Sequence, residues 1–153
     1  MKKGISFILL NLLVITMTSC LKMNLEELPV YENAEISNLR FEYRWWDENI
    51  KQMRVVEMGV NNTINTEDNE ITSIITVPAT TDIFTQEIRD KVTLTNLAAS
   101  LDISTAASAK PTNGSPQLGI PEDFSKKEFT YLVTAADGIT KKEWKIIISE
   151  FKK

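Results

Sequence analysis

The sequence predicts an all-β domain, an antiparallel β-sandwich, behind an N-terminal export signal. Three observations carry that expectation. Apolar residues alternate with a period of two at Ile36–Trp46 and again at Phe129–Ile148, the signature of half-buried strands. No stretch after residue 20 keeps a helical period for more than a turn or two. About five to seven strand-like stretches separated by turn residues, with no long helix, suit two packed sheets.

The first twenty residues come first in the chain and differ from the rest. Met1-Lys2-Lys3 is basic, Ile5 to Thr16 is mostly apolar, and small residues lead to Cys20. This order marks a bacterial export signal. Met17-Thr18-Ser19-Cys20 resembles the lipobox at which a signal peptidase cuts before a lipidated cysteine, with Met17 where Leu is usual. A membrane-spanning helix needs about 20 apolar residues, more than this stretch supplies. The expected organisation is a signal peptide over residues 1–19, the lipidated Cys20 with a tether over 20–33, and a sandwich domain over 34–153. Each buried CH₂ contributes about 0.8 kcal/mol, so two or three acyl chains on Cys20 hold a protein where one would not. The expected partner is thus the membrane, reached through lipid, and the expected place is the outer membrane, at the cell surface or on its periplasmic face.

Composition narrows the chemistry. Loss of Lys2 and Lys3 with the signal leaves 15 basic against 21 acidic residues, a net charge of −6. No basic stripe exists to neutralise phosphates, so nucleic acid is not an expected partner. There is no histidine and a single cysteine. That removes the commonest general base and the usual ligands of zinc, haem and iron–sulfur centres. The five glycines form no phosphate-cradling run. No cofactor or metal is expected, and with Cys20 lipidated no disulfide can form.

Beyond the tether, Leu39, Phe41, Tyr43 and Trp45 form one face of the first strand, and Arg40, Glu42, Arg44 and Trp46 the other. Asp47-Glu48-Asn49 reads as a turn. Lys51 to Asn61 reads as a second strand, Asn61 to Asn69 as a polar loop, and Glu70 to Val77 as a β-branched third strand stopped by Pro78. Phe84 to Arg89 suits one or two helical turns with Thr85 as N-cap. Val92 to Ile103 is strand-like, and Pro111 to Pro116 and Pro121 to Phe124 read as irregular. The last element is a hairpin about Asp137-Gly138, read as a two-residue type I′ turn. That turn sets Tyr131 opposite Trp144, Phe129 opposite Ile146 and Val133 opposite Lys142.

Several segments resemble one family. They are ISNLRFEYRW at Ile36 to Trp45, ITSIITVPA at Ile71 to Ala79, LTNLAASLDISTAASAKP at Leu94 to Pro111, SPQLGIPEDFSK at Ser115 to Lys126 and YLVTAADGITKKEWKI at Tyr131 to Ile146. They resemble the domain-of-unknown-function family 5018 of Bacteroidetes lipoproteins and, more loosely, cadherin-like and immunoglobulin-like sandwiches. The resemblance implies an immunoglobulin-like (cadherin-like) fold displayed on the cell envelope, in settings of polysaccharide use or adhesion. It carries over no catalytic residue. Glu26-Glu27 behind the anchor resembles a surface-export signal of such lipoproteins and equally an ordinary polar linker.

Trp45 and Trp46 are the candidate ligand-binding residues. As neighbours in a strand they face opposite ways, one toward the core and one toward water, where it can stack on a sugar. The acidic loops Asp47-Glu48-Asn49 and Glu67-Asp68-Asn69-Glu70 match no calcium-loop spacing and are expected to be solvated turns. Glycoside hydrolysis needs two carboxyls about 5–9.5 Å apart across a cleft, which nothing in the sequence points to. The expected function is therefore a non-catalytic glycan-binding or adhesion module. The alternative is an assembly component that holds an envelope protein by a sheet edge or apolar patch. One outcome follows from the anchor. Cys20→Ser should stop lipidation and leave the protein uncleaved or released. Alkaline washing of membranes reads this out, and a cleaved variant that stays in the membrane would refute the anchor.

Overall fold

Alternation of buried Leu39, Phe41 and Tyr43 with solvent-facing Arg40, Glu42 and Arg44 makes β1 (Ile36–Asp47) a strand with one face in the core. The computed structural model describes residues 31–153. The signal peptide, Cys20 and most of the expected tether lie outside the described residues. After β1 come β2 (Gln52–Glu57), β3 (Gly59–Asn65), β4 (Glu70–Thr76), a short helix α1 (Gln86–Lys91), a 3₁₀ turn (Leu94–Asn96), β5 (Leu97–Ile103), β6 (Ser108–Thr112), β7 (Pro121–Glu122), β8 (Glu128–Thr134) and β9 (Lys141–Lys152).

These strands form two sheets, ordered β2-β1-β5-β7 and β3-β4-β9-β8-β6. Every pairing is antiparallel except β4 with β9, which is parallel. The second sheet is therefore mixed. The first sheet holds the first strand beside β5 and β7, and the second sets the final hairpin beside β6. This is the division of an immunoglobulin-like sandwich.

The core lies between the sheets. Trp144 is fully buried and its indole N–H donates to the carbonyl of Ala34 at 3.0 Å, tying the start of the domain to its last strand. Phe124, from the loop after β7, meets Phe41 of one sheet and Phe129 of the other edge to face, each at 5.2 Å between ring centres. Such edge-on pairs add about 0.5–1.5 kcal/mol beyond burial. The buried Tyr131 donates its hydroxyl to the carbonyl of Pro116 at 2.9 Å. Burial pushes its phenol above the ordinary range.

One expected strand proves to be two. β2 and β3 run almost continuously, but β2 pairs with β1 in the first sheet and β3 with β4 in the second. The switch falls at Met58, which is buried and whose N–H donates to Phe41 O at 2.9 Å. The expected polar loop at 61–69 shrinks accordingly, since Asn61–Asn65 belong to β3. Asparagine is depleted in strands, but here its side chain serves the crossing. The Asn62 amide donates to Asn38 Oδ1 at 2.9 Å and Leu39 O at 2.8 Å, both in β1 of the opposite sheet. Asn62 Oδ1 accepts from the hydroxyl of fully buried Ser73 at 2.6 Å.

Other boundaries differ for local reasons. Pro111 lies in β6 opposite Tyr131 and not in a loop. β6 is an edge strand, where the missing N–H costs no ladder bond. Val92 and Leu94 precede β5, because the chain turns through Leu94–Asn96 before the strand begins. Thr85 is the N-cap position of α1, but its side chain makes no cap bond.

The final hairpin keeps the expected register, with Tyr131 opposite Trp144, Phe129 opposite Ile146 and Val133 opposite Lys142. Its turn is longer than expected. Ala135 N–H donates to Thr140 O at 2.9 Å, so four residues, Ala136 to Ile139, form the loop. Only Gly138 takes positive φ, at 71°, so this is not a type I′ turn. Asp137 holds the loop by accepting from the backbone N–H of Ile139 and of Thr140, each at 2.8 Å. Register survives because both loops are centred between Asp137 and Gly138.

Asn62→Ala should destabilise the domain by about 1–3 kcal/mol, since it strands the Ser73 hydroxyl and the Leu39 carbonyl away from water. Exposed Asn61→Ala should stay within about 0.5 kcal/mol. Denaturant midpoints compare the two, and equal midpoints would show that the inter-sheet amide contributes nothing.

Candidate functional site

The aromatic run that ends β1 builds the site. Tyr43 and Trp45 point to the inner side, Trp46 to the outer, as the strand period requires. Trp45 is half-buried between two rings, stacked on Tyr43 at 6.0 Å and 16° and tilted against Phe84 at 5.9 Å and 47°. Trp46 is 50% exposed. The inward and outward partners expected of the pair are thus Trp45 and Trp46 respectively.

Both tryptophans nevertheless line one groove of about 680 Å³ at this end of the sandwich. Trp45 contributes from the wall and Trp46 from the rim. Asp47, Glu48 and Asn49 of the following turn form one side, and Asp82, Thr85, Glu87 and Lys91 of the α1 region form the other. Two local features position these walls. Arg89 of α1 donates to Pro78 O at 2.9 Å, fastening the helix to the end of β4. Asp47 accepts from Asn49 N–H at 3.0 Å, setting the turn after β1.

The polar groups are mostly paired within the groove. Asp47 meets Arg54 at 3.2 Å, and Glu87 meets Lys91 at 2.8 Å. Partial burial pushes the Asp47 carboxyl up, but the bond from Arg54 and the backbone N–H groups of Asn49 and Ile50 outweigh it, so the carboxyl titrates below the ordinary range. Glu87 is held low by its bond to Lys91, whose own ammonium is held up. Each pair leaves acceptors or donors at the groove surface beside an aromatic wall.

Arg54, Asp82, Glu87 and Lys91 carried no signal in the sequence. They are ordinary surface charges until the fold brings α1 against the end of β1. Cys20 lies outside the described residues. Among the described residues no cluster of three or more carboxylates or other metal-binding side chains occurs. In the loop over residues 66–69, Asn65 Oδ1 accepts from the N–H of Glu67 at 3.0 Å and of Asp68 at 3.2 Å, which is turn chemistry. Among the described residues no helix is long and apolar enough to cross a membrane. A second groove, of about 470 Å³, lies between Tyr31, Glu35 and Ser104.

The fold and groove describe an immunoglobulin-like sandwich with an aromatic cleft at one end. The chain belongs to the DUF5018-related family, whose model matches residues 36–147. Among solved structures, a candidate secreted protein from Bacteroides fragilis is 37% identical, with a TM-score of 0.71. That match covers 82% of this chain and 100% of that one. No curated protein matches the sequence.

Acid should weaken the folded domain. Asp47, Glu87, Asp123 and Asp137 are all held below their ordinary values. Their contribution is present above the unfolded-state values near pH 4 and is lost as pH falls through the folded-state values. Urea midpoints should be flat from about pH 7 to about pH 5 and then decline toward about pH 2. A midpoint that rises on acidification would contradict these pairings.

Proposed function

We propose that this domain is a non-catalytic binding module of the cell envelope, anchored by lipid on Cys20 at the outer membrane, that holds a carbohydrate in the Trp45–Trp46 groove. The observation that carries the reading is two tryptophans in one open groove beside carboxylates, an asparagine and two cations. A sugar ring has an apolar face and a polar rim. A groove with aromatic walls and a few placed polar groups is the matching kind of surface.

The charges favour an uncharged sugar. Asp47 and Glu87 neutralise Arg54 and Lys91 and Lys51 meets Glu48, which leaves Asp82 to discourage an anionic ligand. The same pairs argue for binding over catalysis. A glycosidase needs one carboxyl raised to act as acid, whereas Asp47 and Glu87 are both shifted down. The 37% identity to a candidate secreted protein supports a place outside the cytoplasm.

A glycan array probed with residues 24–153 tests this. Trp46→Ala should reduce binding at least about tenfold, roughly 1.4 kcal/mol, with an unchanged melting temperature because Trp46 is half exposed. Trp45→Ala should lower both binding and stability. If the parent binds no glycan, or if Trp46→Ala binds as the parent does, the carbohydrate reading falls.

A further inference from the structure

We propose that β2 is a self-pairing edge, through which two copies of this chain join about a two-fold axis at Arg54. The inference does not depend on the carbohydrate reading. β2 ends its sheet, with β1 as its only neighbour there. The bond from Met58 N–H to Phe41 O fixes the phase of the ladder. Alternation in an antiparallel pair then turns the backbone groups of Gln52, Arg54 and Val56 toward β1. Those of Met53, Val55 and Glu57 point to the open edge. Among the described residues no hydrogen bond reaches them.

The outward side chains of β2 are Met53, Val55 and Glu57, since they lie opposite Trp46, Arg44 and Glu42 on the outer side of β1. An axis at Arg54 sets Met53 against Val55 of the second copy. Met53 is 58% exposed and Val55 52%. An axis at Val55 would set Met53 against Glu57, and one at Met53 would set Val55 past the start of β2 in the second copy. Only the Arg54 register gives both exposed apolar side chains an apolar partner.

The same register aligns the backbone. Met53 and Val55 both present their N–H and C=O outward, so each exchanges two hydrogen bonds with its opposite number. The two Arg54 side chains meet near the axis on the inner face. Each is already neutralised within its own chain by Asp47 at 3.2 Å, which removes most of the like-charge cost. The product is one continuous eight-stranded sheet. Its two Trp46 side chains share a face, three strand spacings or about 14 Å apart across the sheet.

Sedimentation equilibrium of the full chain in detergent micelles tests the association. A dimer is expected. Val55→Pro should be at least tenfold weaker in association with an unchanged melting temperature, because the lost N–H points to the open edge and not to β1. Arg54→Cys, self-opposed at the axis, should form a covalent dimer under mild oxidation, beyond any formed by the parent through Cys20. Glu57→Cys should not. A monomer up to about 100 µM, or a Val55→Pro variant that associates like the parent, would overturn the proposal. Should Val55→Pro fail to fold, the cysteine pair decides, and an Arg54→Cys protein no more cross-linked than the parent overturns it.

Discussion

The side-chain amide of Asn62 is the constraint on which the arrangement depends. Two stacked sheets lie about 10 Å apart, and apolar packing between them has no direction of its own. Asn62 supplies direction. From β3 it bonds to Asn38 and to the backbone of Leu39 in the other sheet, and it accepts from Ser73 on its own side. Ser73 in turn accepts at its carbonyl from the Ser149 hydroxyl at 3.0 Å in β9. Asn38 continues the chain of bonds outward to Asp102 at 3.2 Å in β5. A single polar thread therefore fixes the offset of β1, β3, β4, β5 and β9, and a half-made network of this kind would be worse than none.

The crossing at Met58 decides which edges stay open. Because β2 and β3 are one run of chain divided between the sheets, covalent structure joins the two sheets on that flank, while β2 keeps β1 as its one ladder partner and stays an open edge. The end of β1 extends past β5, since β1 pairs with β5 only as far as Tyr43 but with β2 as far as Asp47. Trp45 and Trp46 stand on this overhang. Their position is a consequence of strand lengths, and Glu87, Ile88 and Lys91 of α1 line the groove beside them.

The legible parts of the fold were those with a period. Leu39, Phe41 and Tyr43 in β1, and Phe129, Tyr131, Trp144 and Ile146 in the final hairpin, declared both their strands and their inward face. Their burial follows that pattern. Hairpin register was legible because a centred loop keeps its pairings whether two or four residues close it. What could not be read was set by distant contacts. Asn61–Asn65 look like a loop because the strand depends on β4 beside it and β1 across from it. Pro111 looks like a strand breaker because nothing local marks β6 as an edge. The groove was half legible. Two adjacent tryptophans are conspicuous, whereas Asp82, Glu87 and Lys91 acquire meaning only once Arg89 fastens α1 to Pro78.

Neighbouring tryptophans in a strand face opposite sides of the sheet, so a shared groove needs a special place to form. The end of a strand is such a place, because there the sheet stops and a ligand can reach around its margin. On the proposed reading of the groove as a binding site, the two residues divide the work. Trp45 is clamped between Tyr43 and Phe84, which fixes its orientation before any ligand arrives and lowers the ordering cost of binding. Trp46 has no such clamp among the aromatic rings and stands half exposed beside Met53. It can adjust to what the fixed wall holds. A rigid inner ring and an adaptable outer one make recognition separable from folding, since the core has already used Trp45 and has no use for Trp46.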